Sequence, residues 1–371
     1  MIWASSVQAA RDDNKQNAPC SFNQMCTCSK ASPEDLGIVN CLDVPFASMP
    51  RSLNTSKVYM LKLDNTGLTE IEPHFLQATG LYRLEISQNP INDIPDDAFN
   101  GLERTLWELI LKDDGLIEIP TKAMRYLQKL RYLDLSGNDI SNIERDSFRG
   151  LTNSLRTLIL SDNSLSFIPL EAFQGLPNLD SLDISSNNLQ DILPDIFREQ
   201  MNTLFKVNLA DNLLKEIPYI PLSMLRALRI LDLSSNRMNS VLIENESQPL
   251  NIKLSLDQLH LEFNQIETIV PGSFQYFMVV NQTFLDYNPI HMISVSNLEL
   301  KKDLQLILNQ TQEDAFQSAR IRELYIRNCK LNFIAPTAFS GLESSLQVLD
   351  MSGNNITDLP EKIFMSFDLL R

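Results

Sequence analysis

The stretch 130-LRYLDLSGNDI-140 returns along the chain with its spacing kept, as 155-LRTLILSDNSL-165, 179-LDSLDISSNNL-189 and 346-LQVLDMSGNNI-356. Aligned on its ninth residue, the phrase L-x-x-L-x-L-x-x-N-x-L is recognisable twelve times. The ninth positions are Thr66, Asn89, Asp114, Asn138, Asn163, Asn187, Asn212, Asn236, Asn264, Asn288, Cys329 and Asn354. Successive spacings are 23, 25, 24, 25, 24, 25, 24, 28, 24, 41 and 25. A unit of this length cannot bury its own leucines, so a chain built of it must stack unit on unit into an array.

Each position has a physical task. Leucines at positions one, four, six and eleven point inward and stack on their equivalents in the next coil. The LDL or LIL core is a short strand whose side chains alternate between core and surface. Asn at position nine sits where the chain turns, and its amide both donates and accepts, so a column of Asn satisfies buried backbone groups from coil to coil. Thr66, Asp114 and Cys329 read as tolerable replacements, and Cys329 as a buried structural thiol. The back halves repeat as well, in 94-IPDDAFNGL-102, 143-IERDSFRGL-151, 168-IPLEAFQGL-176 and 334-IAPTAFSGL-342. Phe99, Phe148, Phe173, Phe274, Phe339 and Phe364 fall in equivalent places and predict a stacked column. Prolines and short polar turns there rule out long helices. The pattern is the leucine-rich-repeat signature. It predicts an α/β solenoid with a curved parallel β-sheet on the concave side and loops, 3₁₀ turns and short helices on the convex side.

Two steps break the period. The 28-residue step contains a surface insertion within 241–253, and the 41-residue step carries an inserted loop or a decayed coil near 293–315.

Four of the five cysteines, Cys20, Cys26, Cys28 and Cys41, crowd in front of the first coil. Zinc would favour paired CxxC knuckles or histidines, yet His74, His260 and His291 all lie far off in sequence. Two disulfides suit the spacing better, in any of three pairings, and imply an oxidising compartment. The expected organisation is a signal-peptide remnant or flexible start over 1–17, a cysteine-rich cap over 18–50, and the repeat array over 51–371. The array reads as cut off mid-solenoid. No segment has the ~18 apolar residues of a membrane span, and the net charge of −16 excludes nucleic acid as a main partner.

The cap spacing, followed by coils carrying LxxLxLxxNxL and AFxGL, resembles the extracellular leucine-rich-repeat proteins. That resemblance implies the pairing Cys20–Cys28 and Cys26–Cys41. More narrowly, 20-CSFNQMCTCSK-30, 41-CLDVPFASMP-50 and 67-GLTEIEPHFL-76 resemble the cell-adhesion members of the family found on insect photoreceptors. This implies homophilic cell–cell adhesion in photoreceptor morphogenesis, a glycosylated ectodomain and a GPI-type lipid anchor at the far C-terminus of such proteins. The alternative is a receptor or secreted ectodomain that binds a different protein ligand.

Recognition, on either reading, must be written in the positions the repeat leaves free. Position two begins Tyr59, Tyr82, Trp107, and position three adds Tyr132; these predict one aromatic patch. Phe263, Phe284, Tyr287 and Tyr325 form a second group beside the long insertion. At position five, Glu85, Asp134, Asp183 and Asp232 alternate with Ile110, Ile159 and Asn208. Acids on every second coil lie about 9–10 Å apart, too far for one cation and at the limit for a glycosidase pair. They read as a solvated face paired with Arg131, Arg156 and Arg229. His260 reads as isolated. No nucleophile elbow, phosphate loop, HExxH or dinucleotide fingerprint occurs, so the chain reads as a non-enzyme without cofactor or metal. Asn54, Asn245, Asn281, Asn309 and Asn355 head N-x-[ST] triplets, and a glycan on Asn281 would stand on the sheet face.

Overall fold

The computed structural model describes residues 18–30, 32–46, 48–91, 93–242, 253–293, 315–316 and 319–371. The expected leader over 1–17 and most of both insertions lie outside those residues. The chain divides into two compact units, Met1–Asp139 with Ser147–Leu155, and Ile140–Asp146 with Arg156–Arg371.

The first unit carries β1 (Ala18–Pro19), β2 (Thr27–Cys28), β3 (Asp35–Leu42), β4 (Lys57–Asp64), β5 (Arg83–Ser87), β6 (Glu108–Lys112) and β7 (Tyr132–Asp134). They lie side by side in chain order. The cap opens the sheet: β1 pairs antiparallel with β2, β2 antiparallel with β3, and β3 parallel with β4. Two disulfides staple it, Cys20–Cys28 and Cys26–Cys41, as the resemblance implied. From β3 onward every pairing in the unit is parallel, with Leu84 aligned on Leu109 and Leu109 on Leu133.

The second unit carries β8 (Thr157–Ile159), β9 (Ser181–Asp183), β10 (Lys206–Asn208), β11 (Ile230–Asp232), β12 (Leu254–His260), β13 (Thr268–Ile269), β14 (Phe277–Phe284), β15 (Met292–Ile293), β16 (Arg320–Tyr325), β17 (Phe333–Ile334) and β18 (Val348–Asp350). Its main sheet runs β8-β9-β10-β11-β12-β14-β16-β18. The three two-residue strands β13, β15 and β17 make a separate parallel ladder that the sequence did not predict. Across the 41-residue step β14 pairs directly with β16, Val280 on Ile321 and Thr283 on Leu324.

The core is the expected aliphatic stack: Leu61, Leu84, Leu109, Leu133, Leu158, Leu182, Leu231, Leu259 and Leu324 are at most 1% exposed. Each contributes about 2 kcal/mol by leaving water. The phenylalanine stacking forms separate runs rather than the single column expected: it gains Phe197 and Phe316, while among the described residues no ring stacking involves Phe99 or Phe148. Phe197 stacks on Phe173, and Phe316 bridges Phe274 and Phe339. Among the described residues α-helix is confined to single turns: α1 (Arg51–Thr55), α2 (Thr121–Met124) and α3 (Tyr219–Ser223). Each starts just after a proline, Pro50, Pro120 or Pro218, whose fixed φ favours a first helical turn.

The asparagine column works as expected. Asn138 Oδ1 accepts from the Asp114 and Leu116 amides of the preceding coil, while its Nδ2 donates to the Leu111, Leu135 and Ser136 carbonyls. Cys329 imitates the donor with its thiol, 3.4 Å from the Leu285 and Arg327 carbonyls. Asp114 does not fit so easily. Its Oδ1 accepts from the Asn89 amide, but Oδ2 is buried without a partner. Burial pushes this carboxyl up to about 8, so it holds its proton at neutral pH.

Position eight is the other constraint. Its amide continues the ladder past the strand by donating to the next coil, as Ser235 does to the Glu262 carbonyl at 2.8 Å. That geometry needs a left-handed residue, and Asn65, Gln88, Asp113, Asp162, Ser186, Asp211 and Ser235 all have φ between 49° and 56°. Gly137 fills it in one coil (φ 68°), where a Cβ would strike Asp113 Oδ1.

Candidate protein-interaction surface

On the sheet face of the first unit, the parallel register places position two of successive coils one strand apart. Tyr59 stacks on Tyr82 with ring centroids 5.1 Å apart, and Tyr82 on Trp107 at 5.6 Å. The Arg131 guanidinium closes the row, 4.1 Å from the Trp107 ring. Arg131, not Tyr132, therefore ends the patch: the Tyr132 hydroxyl lies instead 3.5 Å from Asp134. Burial pushes the Tyr132 hydroxyl up to about 12, so it stays neutral. Tyr59 is 53% exposed, which leaves the row open to a partner.

Beside the row runs a compensated charge ladder. Lys62 reaches Glu85 at 2.8 Å, Arg83 reaches Glu85 at 2.7 Å, and Arg83 also reaches Glu108 at 2.9 Å. Although burial opposes ionisation, the bonds and charges of Lys62 and Arg83 hold the Glu85 carboxyl below its ordinary value.

The other position-five acids correct the expectation of an arginine-paired face. Asp183 accepts from the Ser185 amide and hydroxyl and from Asn208, Asp232 from the Ser234 amide and hydroxyl, and Asp134 from the Ser136 amide. They shape the chain as it leaves each strand, a local Asp-to-backbone habit. The three arginines go elsewhere: Arg131 onto Trp107, Arg156 to Asp180 at 3.7 Å, and Arg229 to the Arg226 and Leu228 carbonyls. Among the described residues no group of three or more His, Cys, Asp or Glu is placed to hold a metal.

The second unit gathers its own aromatics in two rows. His260, Phe284 and Tyr325 are register partners and stack at 4.5 and 4.9 Å. His260 is therefore not isolated. Burial disfavours its charged form, yet the Glu262 carboxylate 2.9 Å away and the charge of Asp232 outweigh this and raise its pKa. Arg327 lies 4.9 Å from the Tyr325 ring and is fixed by two bonds to Asp286, at 2.6 and 3.0 Å. The second row is Phe263 on Tyr287, 4.6 Å apart and nearly parallel. Both sit at position eight with φ of 55° and 59°, where a bulky side chain costs about 1 kcal/mol. Both are exposed, 56% and 52%. The sequence marked these side chains as aromatic; only the turn geometry reveals that they are held there at a cost.

Of the sequon asparagines, Asn54 lies in α1, Asn281 on β14 and Asn355 just past β18. Asn245 and Asn309 fall outside the described residues. Also among those residues, no helix is long and apolar enough to cross a membrane.

Comparison with known proteins agrees with this architecture. The chain is 65% identical over 377 aligned residues to chaoptin of Drosophila melanogaster, an alignment covering all of this chain and 27% of that protein. The chain thus spans about a quarter of the length of that relative. A Leptospira interrogans leucine-rich-repeat protein, LIC12759, shares the fold with a TM-score of 0.58 and 23% identity over 91% of this chain and 82% of its own. The LRIM1/APL1C complex includes a chain with a TM-score of 0.56 and 20% identity, over 93% of this chain and 61% of that one. The leucine rich repeat family model matches residues 104–154, 153–199, 179–238 and 319–371. These matches together span more than half of the sequence, and the chain belongs to the leucine-rich-repeat family.

Proposed function

We propose that this chain is the recognition part of an extracellular leucine-rich-repeat protein that holds cells together. Its partner is a second copy on an apposed membrane, as in photoreceptor cell morphogenesis, and the protein is held at the cell surface by a lipid anchor.

The observation that carries this reading is the open aromatic row Tyr59–Tyr82–Trp107, ordered by its own stacking and closed by Arg131. Aromatic and arginine side chains dominate binding energy at protein interfaces. The two disulfides support an oxidising, extracellular location. The identity to chaoptin along the whole chain supports the adhesion role that the cap and coil motifs implied. Between two acidic chains, contact costs least where charges are already paired. The Lys62–Glu85–Arg83–Glu108 ladder supplies such a surface beside the row. Individual contacts are weak, and clustering on membranes multiplies them.

Cells displaying the chain, mixed with labelled cells that lack it, provide the test. Clusters made of expressing cells alone are the expected result. Expressing cells that stay dispersed would sink the like-with-like reading.

A further inference from the structure

The charges at the free positions of the two sheet faces do not balance in the same way. On the first face, Asp64, Lys62, Glu85, Arg83 and Glu108 pair with one another. Outside those pairs the exposed Lys112 and Arg131 offset Asp113 and Asp134. On the β12–β14–β16–β18 face, His260 pairs with Glu262 and Arg327 with Asp286. Among the other described residues there, Asp257, Glu323 and Asp350 outnumber Arg322. Glu323 accepts from Gln282 and Tyr325, and Asp350 from the Ser352 amide, all of them neutral donors.

Placed on a second copy of itself, the acidic face would oppose its excess to the same excess. Placed on the first face it meets Lys112 and Arg131 instead, and like-charge contact is avoided. Chain direction favours the same choice. Copies held on facing membranes run in opposite directions, which brings the first unit of one level with the second unit of the other. A two-fold pairing is self-complementary, so such an unlike contact forms twice. Each side offers exposed rings for its centre, Tyr59 at 53% on one, Phe263 and Tyr287 at 56% and 52% on the other.

We propose that the two faces are partners of one another across copies. The Tyr59–Tyr82–Trp107 row of one copy packs on the Phe263–Tyr287 and His260–Phe284–Tyr325 rows of a second, and the reverse contact forms in the same pair. Lys112 and Arg131 then face the acids Asp257, Glu323 and Asp350. The contact explains why two bulky rings are kept in a left-handed turn: their stabilisation comes from the partner rather than from the fold. One weak contact holds little, and two within one pair multiply. The inference rests on the like-with-like reading above and adds which face meets which.

The test mixes two differently labelled populations of cells that display the full chain from a supplied anchor at equal surface density. One carries Tyr82→Ala with Trp107→Ala, the other Phe263→Gly with Tyr287→Gly. Either variant alone damages both contacts of every pair, so its self-clustering should fall about tenfold or more. In the mixture one of the two contacts is intact, so two-colour clusters should exceed one-colour clusters of either variant by about threefold or more. Two-colour clusters no commoner than one-colour ones, with parent cells clustering normally, would overturn the proposal and leave the like-with-like reading standing. Parent-like clustering of either variant alone would do the same. Parent cells that stay dispersed would sink both. Should a ring variant melt below the parent chain, charge reversal takes its place. Lys112→Glu with Arg131→Glu should disperse alone and cluster with Asp257→Lys plus Asp350→Lys, and absence of that rescue would equally overturn the proposal.

Discussion

The sheet faces of the two units are built on the same backbone rule and use it differently. In the first unit the aromatics sit at position two, where the strand is regular and no strain is needed. Tyr59, Tyr82 and Trp107 stack there beside a ladder of paired charges. In the second unit position two is polar in every coil but that of Phe205, and the stacked rings occur at positions five and eight. Phe263 and Tyr287 take the left-handed position that other coils give to Gly, Asn, Asp, Gln or Ser. Stability alone would not select that arrangement. The first face is consistent with its fold at every level, and the second gives up stability to present two large side chains. Exposed aromatics on such a face are therefore not equivalent: those held against the local backbone preference carry the stronger sign of function.

Four sets of substitutions probe the difference between the two units. The largest effect is expected at the cap, which only the first unit has. Cys26→Ser together with Cys41→Ser should lower the stability of that unit by about 3 kcal/mol, read as faster amide exchange in β3 and β4. Unchanged exchange there would show the staple to be dispensable.

Asp114→Asn should come next, in the opposite direction. The folded carboxyl titrates at about 8 against about 4 in an unfolded chain. The native state therefore holds the extra proton between those values, and stability falls as pH rises through that window. Substitution by Asn removes the dependence, so the gain should grow from pH 4 to pH 8 and reach about 2–4 kcal/mol near neutrality. Urea melts at several pH values would measure it, and a gain that does not change with pH would refute the buried-acid account.

Phe263→Gly with Tyr287→Gly should change stability by less than about 1 kcal/mol, because relief of left-handed strain offsets the lost ring stacking. A large loss in the melt would mean that the rings serve the fold rather than a partner. The smallest effect is expected at His260. Its raised pKa means that the contribution of its pairing with Glu262 is fully present below the unfolded value near 6.5. It is lost as pH rises through the higher folded value. NMR titration of the imidazole should place its midpoint above 6.5, and Glu262→Gln should bring it down.

The sequence made the architecture legible because the repeat encodes it redundantly. Leu130, Leu133, Leu135 and Asn138 announce the same coil that eleven others announce. The disulfide pairing came from the resemblance, since spacing left three arrangements open. The two aromatic groups were visible because strands in parallel register put like positions side by side. What the sequence hid was pairwise geometry. It could not show that Arg131 turns from Asp134 to Trp107, that His260 is sandwiched beside Phe284 and Glu262, or that Asp114 has an unpaired oxygen. Those outcomes depend on rotamers and on burial of single atoms, which no periodicity encodes. The left-handed turn was within reach, because Gly137 and Gly353 mark position eight, yet two aromatic residues there obscured it.

The central claim is that the free sheet-face positions, rather than the repeat itself, carry recognition. Cell aggregation with Tyr82→Ala and Trp107→Ala together, against Phe284→Ala and Tyr325→Ala together, tests it most directly, once equal surface display of both variants has been verified. The account predicts that at least one pair reduces clustering about tenfold or more while the chain stays folded. Clustering equal to that of the parent chain in both variants would contradict it.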